Sequence, residues 1–225
     1  MRVVSASAAM EWFKKGWQIF RADAVTWILI SLLFLLITIV LMFVPLLGSL
    51  IYYLIAPALI GGMLRAAKDS LAGGHPRVDQ LFSVLKEPAA RQPMLMLGAM
   101  LVAANFLVGL LGLGAIGMAG GHMGAMAGVG LFGGLLALIV SILIGAAFFF
   151  APADVLFRNT APVEAIKRSF SAVVSNIWAM TVFGVVYFLL SIIASIPLGL
   201  GWLVLVPVLM GALYVAYQEI YSGTE

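Results

Sequence analysis

Of the 225 residues, 64% are hydrophobic and only 9% charged, with a mean hydropathy of +1.18. An ordinary soluble domain carries about 25% charged residues, so a soluble enzyme and a nucleic-acid-binding module are excluded. The 12 Lys and Arg and 9 Asp and Glu leave three charge-free stretches, residues 24–64, 92–153 and 169–218. A membrane-spanning helix needs roughly 20 apolar residues, so each stretch holds two spans and a reversal. The prediction is an all-α, polytopic bundle of six transmembrane helices. A β-barrel would instead alternate in-out over strands of about 10 residues.

The order along the chain follows from this. Residues 1–24 form an amphipathic interfacial helix, and Met10, Phe13, Trp17 and Phe20 recur at helical spacing opposite Glu11, Lys14, Lys15, Gln18 and Arg21. Such a helix lies on the inner leaflet with its basic face toward anionic headgroups, or packs on the bundle. Hairpin one occupies 25–64, with spans at about 25–43 and 49–64. Pro45 and Gly48 supply its turn, and Trp27, Tyr52 and Tyr53 sit near the span ends, where aromatic rings favour the headgroup zone. A polar connection, 65–92, carries a second amphipathic segment with Val78, Leu81, Phe82 and Leu85 on one side. Hairpin two spans 93–151, its helices at about 93–114 and 131–150. From Gly98 to Gly134 there are 12 glycines, which reads as a loop over 116–129 flanked by closely packed helices. A connection, 152–175, holds a third amphipathic segment, and hairpin three (176–218) precedes a short tail, 219–225. All of it reads as one membrane domain.

All 12 basic residues fall on one side of a six-span chain. The positive-inside rule makes that side cytoplasmic and places both termini there. Residues 1–9 lack the basic, apolar and cleavage regions of a signal peptide, so none is expected. The absence of cysteine excludes disulfides and thiolate metal sites.

The three units look alike. Lys14-Lys15-Gly16-Trp17 with Trp27 downstream parallels Lys167-Arg168-Ser169-Phe170 with Trp178 downstream. Pro57-Ala58-Leu59-Ile60-Gly61 parallels Pro207-Val208-Leu209-Met210-Gly211, with Pro152-Ala153-Asp154 in the same place between them. Three helical-hairpin pseudo-repeats are therefore expected, with Pro57, Pro152 and Pro207 as hinges in the even spans. All three units begin inside, so their axis runs along the membrane normal.

Ala151-Pro152, Ala165-Ile166-Lys167-Arg168-Ser169-Phe170 and Asn176-Ile177-Trp178, with Gly16-Trp17, Phe20 and Trp27, resemble the signature of a bacterial six-span inner-membrane family of unknown function. That family resembles in turn the membrane domain of some glycerophosphodiester phosphodiesterases. The resemblance implies an α-helical bundle in the bacterial cytoplasmic membrane and no catalytic residues.

Residues suited to chemistry are few. Asp154 lies beside Pro152, and Arg158 four positions on shares its helix face; Asn105 and Tyr187 lie near the middles of spans three and five. These four are the candidate intramembrane polar site. His122, Met118, Met123 and Met126 form a soft-ligand set of the kind that holds Cu(I), but their spacing matches no metal motif and Met is ordinary membrane packing, so no metal or other cofactor is expected. Lys14, Lys15, Trp17, Arg21, Lys167 and Arg168 are the candidate headgroup contacts. The reading is a non-enzymatic inner-membrane protein that binds or transports lipid or a small amphiphile, with anionic lipid of the cytoplasmic leaflet as partner. One alternative is a scaffold or assembly factor that uses its Gly-rich helices to bind itself or another membrane protein. A second is a cation or Cu(I) transporter.

Overall fold

The structure, a computed structural model, describes residues 1–118 and 123–222, with side chains described outside 111–132. Ten α-helices are described and no strand: α1 (Ala8–Ala22), α2 (Ala24–Met42), α3 (Leu47–Leu71), a 3₁₀ turn (Val78–Phe82) running into α4 (Ser83–Lys86), α5 (Pro88–Met118), α6 (Met123–Phe148), α7 (Ala151–Arg158), α8 (Pro162–Ser175), α9 (Ile177–Ser195) and α10 (Trp202–Tyr221). Six of them are long and apolar enough to cross a membrane. The helices of hairpin two run further than expected: within 116–129, backbone that reads as loop is helical on both sides of 119–122. Glycine weakens a helix by only about 1 kcal/mol per residue.

All charged segments lie at one end of the bundle, and the core lies there too. The buried part of α2 is its first turns (Trp27, Ile30, Ser31), and α5 buries Met94 and Leu97 near its start. Toward the uncharged end, Leu36, Ile39, Val40 and Met42 of α2 and Phe43 just after it point outward, as do Leu189, Ile192 and Ile193 of α9. Half of the apolar window of α3 and two thirds of that of α10 are buried, against under a fifth for the other four. α3 and α10 are thus the central helices. Apolar residues toward the uncharged end face outward, as expected where lipid is the solvent.

Each connecting helix packs on the even span of the unit before it. The 3₁₀ turn and α4 pack on α3, α8 packs on α6 and α7, and α1 closes the ring on α10 at the other end of the chain. These seats are made by small residues. A Cβ at Gly62 of α3 would collide with the carbonyls of Gln80 and Leu81; one at Gly16 of α1 would collide with the carbonyl of Val208 and lie 2.9 Å from the amide N of Ala212. Ser169 of α8 occupies the corresponding place over α6: its Oγ accepts from Phe150 N–H (2.9 Å) and donates to the Ala146 carbonyl (2.9 Å). The residue pairs Val208/Ala212 and Ala146/Phe150 are each four apart, so Gly16 and Ser169, matched in the sequence repeat, sit over the same kind of helical step.

The middle unit departs from the expected hinge pattern. Pro57 and Pro207 lie inside continuous helices, but the chain breaks at Phe149–Phe150 and Pro152 opens a new helix, α7, in its first turn. The Ser169 hydroxyl takes the place of one helical hydrogen bond at the break, which is how membrane helices tolerate interruption. Seat and proline are accordingly about two turns out of register with the outer units.

The outer reversals also differ from expectation. At Pro45–Gly48 the residue with positive φ is Leu46 (φ 63°), closed by a Leu47 N–H bond to the Pro45 carbonyl (2.7 Å), a tight three-residue turn. Gly48 instead permits close approach, since a Cβ there would collide with Leu41. The third hairpin also places a Leu with positive φ after a Pro (Leu198, φ 54°) and a Gly against the preceding helix (Gly201 on Ala194), but there Gly199 takes a positive φ as well (83°).

Candidate functional site

The N-terminal segment is tied down before α1 begins. Arg2 N–H donates to the Ile220 carbonyl (2.8 Å). Val4 N–H donates to Asn176 Oδ1 (2.8 Å), and Asn176, 2% exposed, donates back to the Arg2 carbonyl (3.3 Å). α1 then turns Ala9, Trp12, Phe13, Gly16, Ile19 and Phe20 inward, chiefly against α10. The inward stripe is rotated from the one expected: Phe13 and Phe20 are buried, whereas Met10 and Trp17 stand out at 55% and 44% exposure. Trp12 determines the rotation, because its Nε1 donates to Glu219 Oε2 (2.7 Å) while its ring meets Phe183 at 6.3 Å.

That rotation leaves a groove. Met10, Phe13, Lys14 and Trp17 of α1 form one wall; Val186, Leu190 and Ile193 of α9 and Val204, Leu205 and Val208 of α10 form the rest. The groove is open to the outside, has a volume of about 760 Å³ and runs to Pro197 and Gly201 at the uncharged end. Its only ionisable groups, Glu11 and Lys14, pair at 3.6 Å at the α1 edge.

A second grouping surrounds the charged end of α10. Asp154 is fully buried; its Oδ2 lies 3.3 Å from Arg168 Nε, and Tyr217 OH donates to its Oδ1 at 3.4 Å. The expected neighbour Arg158 also acts on Asp154 through its charge, and it donates to the Tyr221 carbonyl (2.7 Å), where the open carbonyls of the α10 C-terminus attract a cation. The Arg158 and Arg168 guanidinia both lie over the Tyr221 ring, at 5.6 and 5.5 Å. A carboxylate neutralised in this way is a structural keystone between α7, α8 and α10. The tyrosines were absent from the expectation, although Tyr214, Tyr217 and Tyr221 share one helix face by their spacing.

The remaining candidates are dispersed. Lys14, Lys15, Arg21 and Lys167 are exposed, whereas Arg168, grouped with them, turns in to Asp154. Asn105 donates to the Leu101 carbonyl of its own helix (2.9 Å), and Tyr187 stacks edge-on with Trp202 at 6.4 Å; neither meets Asp154. Trp27, expected at the headgroup level, is fully buried, while its repeat counterpart Trp178 is 75% exposed. Of the glycines expected to pack hairpin two, Gly109 and Gly134 are open, as is Gly145 further along α6, whereas Gly98 meets Leu54 closely. His122 lies outside the described residues, as do the side chains of Met118, Met123 and Met126. In the polar connection Arg77 bonds to Asp79 (2.7 Å) and holds its carboxyl below the usual carboxylate range.

Six apolar helices, a core confined to one end and charge confined to that same end define a multi-pass α-helical membrane protein. The chain belongs to the family described as DUF7847, a domain of unknown function, whose model matches residues 19–223. It is 26% identical, over 98% of its length and 92% of the relative's, to a Burkholderia thailandensis protein named probable inner membrane protein BTH_II0599. No solved structure matches. These relationships support an inner-membrane protein; the finer likeness to the glycerophosphodiester phosphodiesterase membrane domain is not shown by them.

Proposed function

We propose that this protein is a non-catalytic binder of a membrane amphiphile, taken up in the groove between α1, α9 and α10, with both termini on the cytoplasmic face. The observation that carries the reading is the groove: an open, continuous apolar furrow walled on one side by α1, with a charged pair at one end only. Its volume falls within the roughly 300–1,000 Å³ of small-molecule sites, and its wall of Leu, Ile, Val and Phe suits an acyl chain. The orientation follows from the one-sided basic residues. Asp154 is fully buried with the Arg168 guanidinium 3.3 Å away, and a cation already beside it weighs against the transporter alternative.

The test is native mass spectrometry of the purified protein with Leu190→Trp and Ile193→Trp, which fill the groove from the α9 side. Both should lose co-purifying lipid, whereas Ile192→Trp, outside the groove, should retain it. Equal lipid on all four proteins would overturn the reading, and liposomes would show whether binding is accompanied by lipid movement. A second reading, a scaffold, is favoured by the open Gly109, Gly134 and Gly145 on α5 and α6. It predicts that Gly134→Leu releases a partner or second copy on native electrophoresis.

A further inference from the structure

Beside the apolar groove, across the edge of α1, lies a second cleft of about 730 Å³, part polar and part apolar, whose polar lining is Arg2, Ser5, Ser7, Lys15, Gln218 and Glu219. Met10 and Glu11 line both, so the two meet along one turn of α1. We infer that the pair forms a single site for a phospholipid with an anionic headgroup: the acyl chain lies in the groove against α9 and α10, and the phosphate lies in the cleft between Arg2 and Lys15. This rests on the amphiphile reading above and deepens it.

Charge favours an anion there. Of the two carboxylates at the cleft, Glu11 is paired with Lys14, and Glu219 accepts from Trp12 but keeps its charge, so Arg2, Lys14 and Lys15 outnumber Glu11 and Glu219 by one. Arg2 and Lys15 make no ion pair among the described residues. The cleft also meets the N-terminus of α1, where Ser7 makes no side-chain capping bond and its hydroxyl bonds instead to that of Ser5 (2.9 Å), so the positive end of the helix dipole faces the cleft. The position of Arg2 is fixed by its backbone bonds to Ile220 and Asn176. The division of labour has a physical basis. An acyl chain is as comfortable among lipid tails as against Leu and Ile, so the groove accepts a chain with little selectivity, and the headgroup decides which lipid is held.

The experiment uses the full-length protein in nanodiscs containing equal phosphatidylglycerol and phosphatidylcholine, with bound lipid read by native mass spectrometry. A basic residue near the surface is worth about a fivefold preference for anionic lipid. Arg2→Gln with Lys15→Gln should cut the wild-type preference at least about tenfold while leaving total bound lipid unchanged. Lys15→Glu alone should do the same in part. Arg21→Gln, an exposed basic residue of α1 outside the cleft, should leave the preference intact; an equal loss there would mean a diffuse surface field and overturn the inference. So would a double glutamine variant that keeps its preference, even with lipid lost from Ile193→Trp, in which case the amphiphile reading survives alone. If Ile193→Trp and wild type carry equal lipid, the amphiphile reading itself fails. Inorganic phosphate added in excess should not displace the bound lipid, since the site holds the tail as well; displacement would indicate a free-anion site and overturn the inference.

Discussion

Gly16 of α1 and Gly211 of α10 cross so closely that a Cβ on Gly211 would lie 2.9 Å from the Gly16 Cα. The crossing joins the first helix to the last and closes the ring of units. Gly16→Val should therefore disrupt the seat rather than strain it: the nearest atoms are backbone, which cannot yield as a side chain can. Overpacking of this kind costs about 1–3 kcal/mol. The expected result is a lower unfolding temperature in detergent together with faster protease cleavage near α1, whereas Gly184→Ala, at an open position, should change neither.

Asp154 and Arg168 should show the asymmetry of a buried ion pair. Removing the guanidinium by Arg168→Met strands a fully buried carboxylate and should cost about 3 kcal/mol. Asp154→Leu combined with Arg168→Met removes both charges and should recover most of that loss. A double-mutant cycle on thermal or denaturant unfolding checks it, and a double variant no more stable than Arg168→Met would contradict the keystone role.

Ser169→Ala leaves the Phe150 amide and the Ala146 carbonyl without the hydroxyl that joins them at the helix break. An unsatisfied buried polar group costs about 1–3 kcal/mol. Hydrogen exchange should rise at Phe150 in particular, and Ser169→Thr, which keeps the hydroxyl, should restore protection more than Ser169→Val.

Trp27 and Trp178, matched in sequence, should behave oppositely. Trp27→Ala empties a fully buried site and should cost about 3–5 kcal/mol. Trp178→Ala, at an exposed position, should fall within about 0.5 kcal/mol. Similar unfolding shifts for the two would contradict the difference in burial.

The repeat was legible in the sequence as pattern but not as geometry. Gly16 and Ser169 align by letters, and both do seat a connecting helix on an even span. Which span each would meet was not legible, because α1 packs on a helix almost 200 positions away and only closure of the bundle brings them together. Pro152 reads like Pro57 and Pro207, yet it starts a helix where they interrupt none, since whether a proline bends or ends a helix depends on what satisfies the freed backbone groups. Ser169, from another segment, does so here. Trp27 looked interfacial because aromatic residues near span ends usually are, and burial against neighbouring helices overrode that preference.

The scarcity and placement of charge were determined by the sequence alone. With so few ionisable groups, all outside the long apolar runs, the number of spans and the one-sidedness of the charged end follow from the cost of placing a charge in hydrocarbon. That term depends on composition over some 20 residues and needs no knowledge of neighbours. The tertiary structure decided the rotation of α1, the groove that the rotation leaves against α9 and α10, and the approach of Arg168 to Asp154 from another helix. These depend on close fit between residues far apart in the chain, where a Gly against a carbonyl or a Trp reaching Glu219 settles by a few ångströms which face of a helix is turned inward.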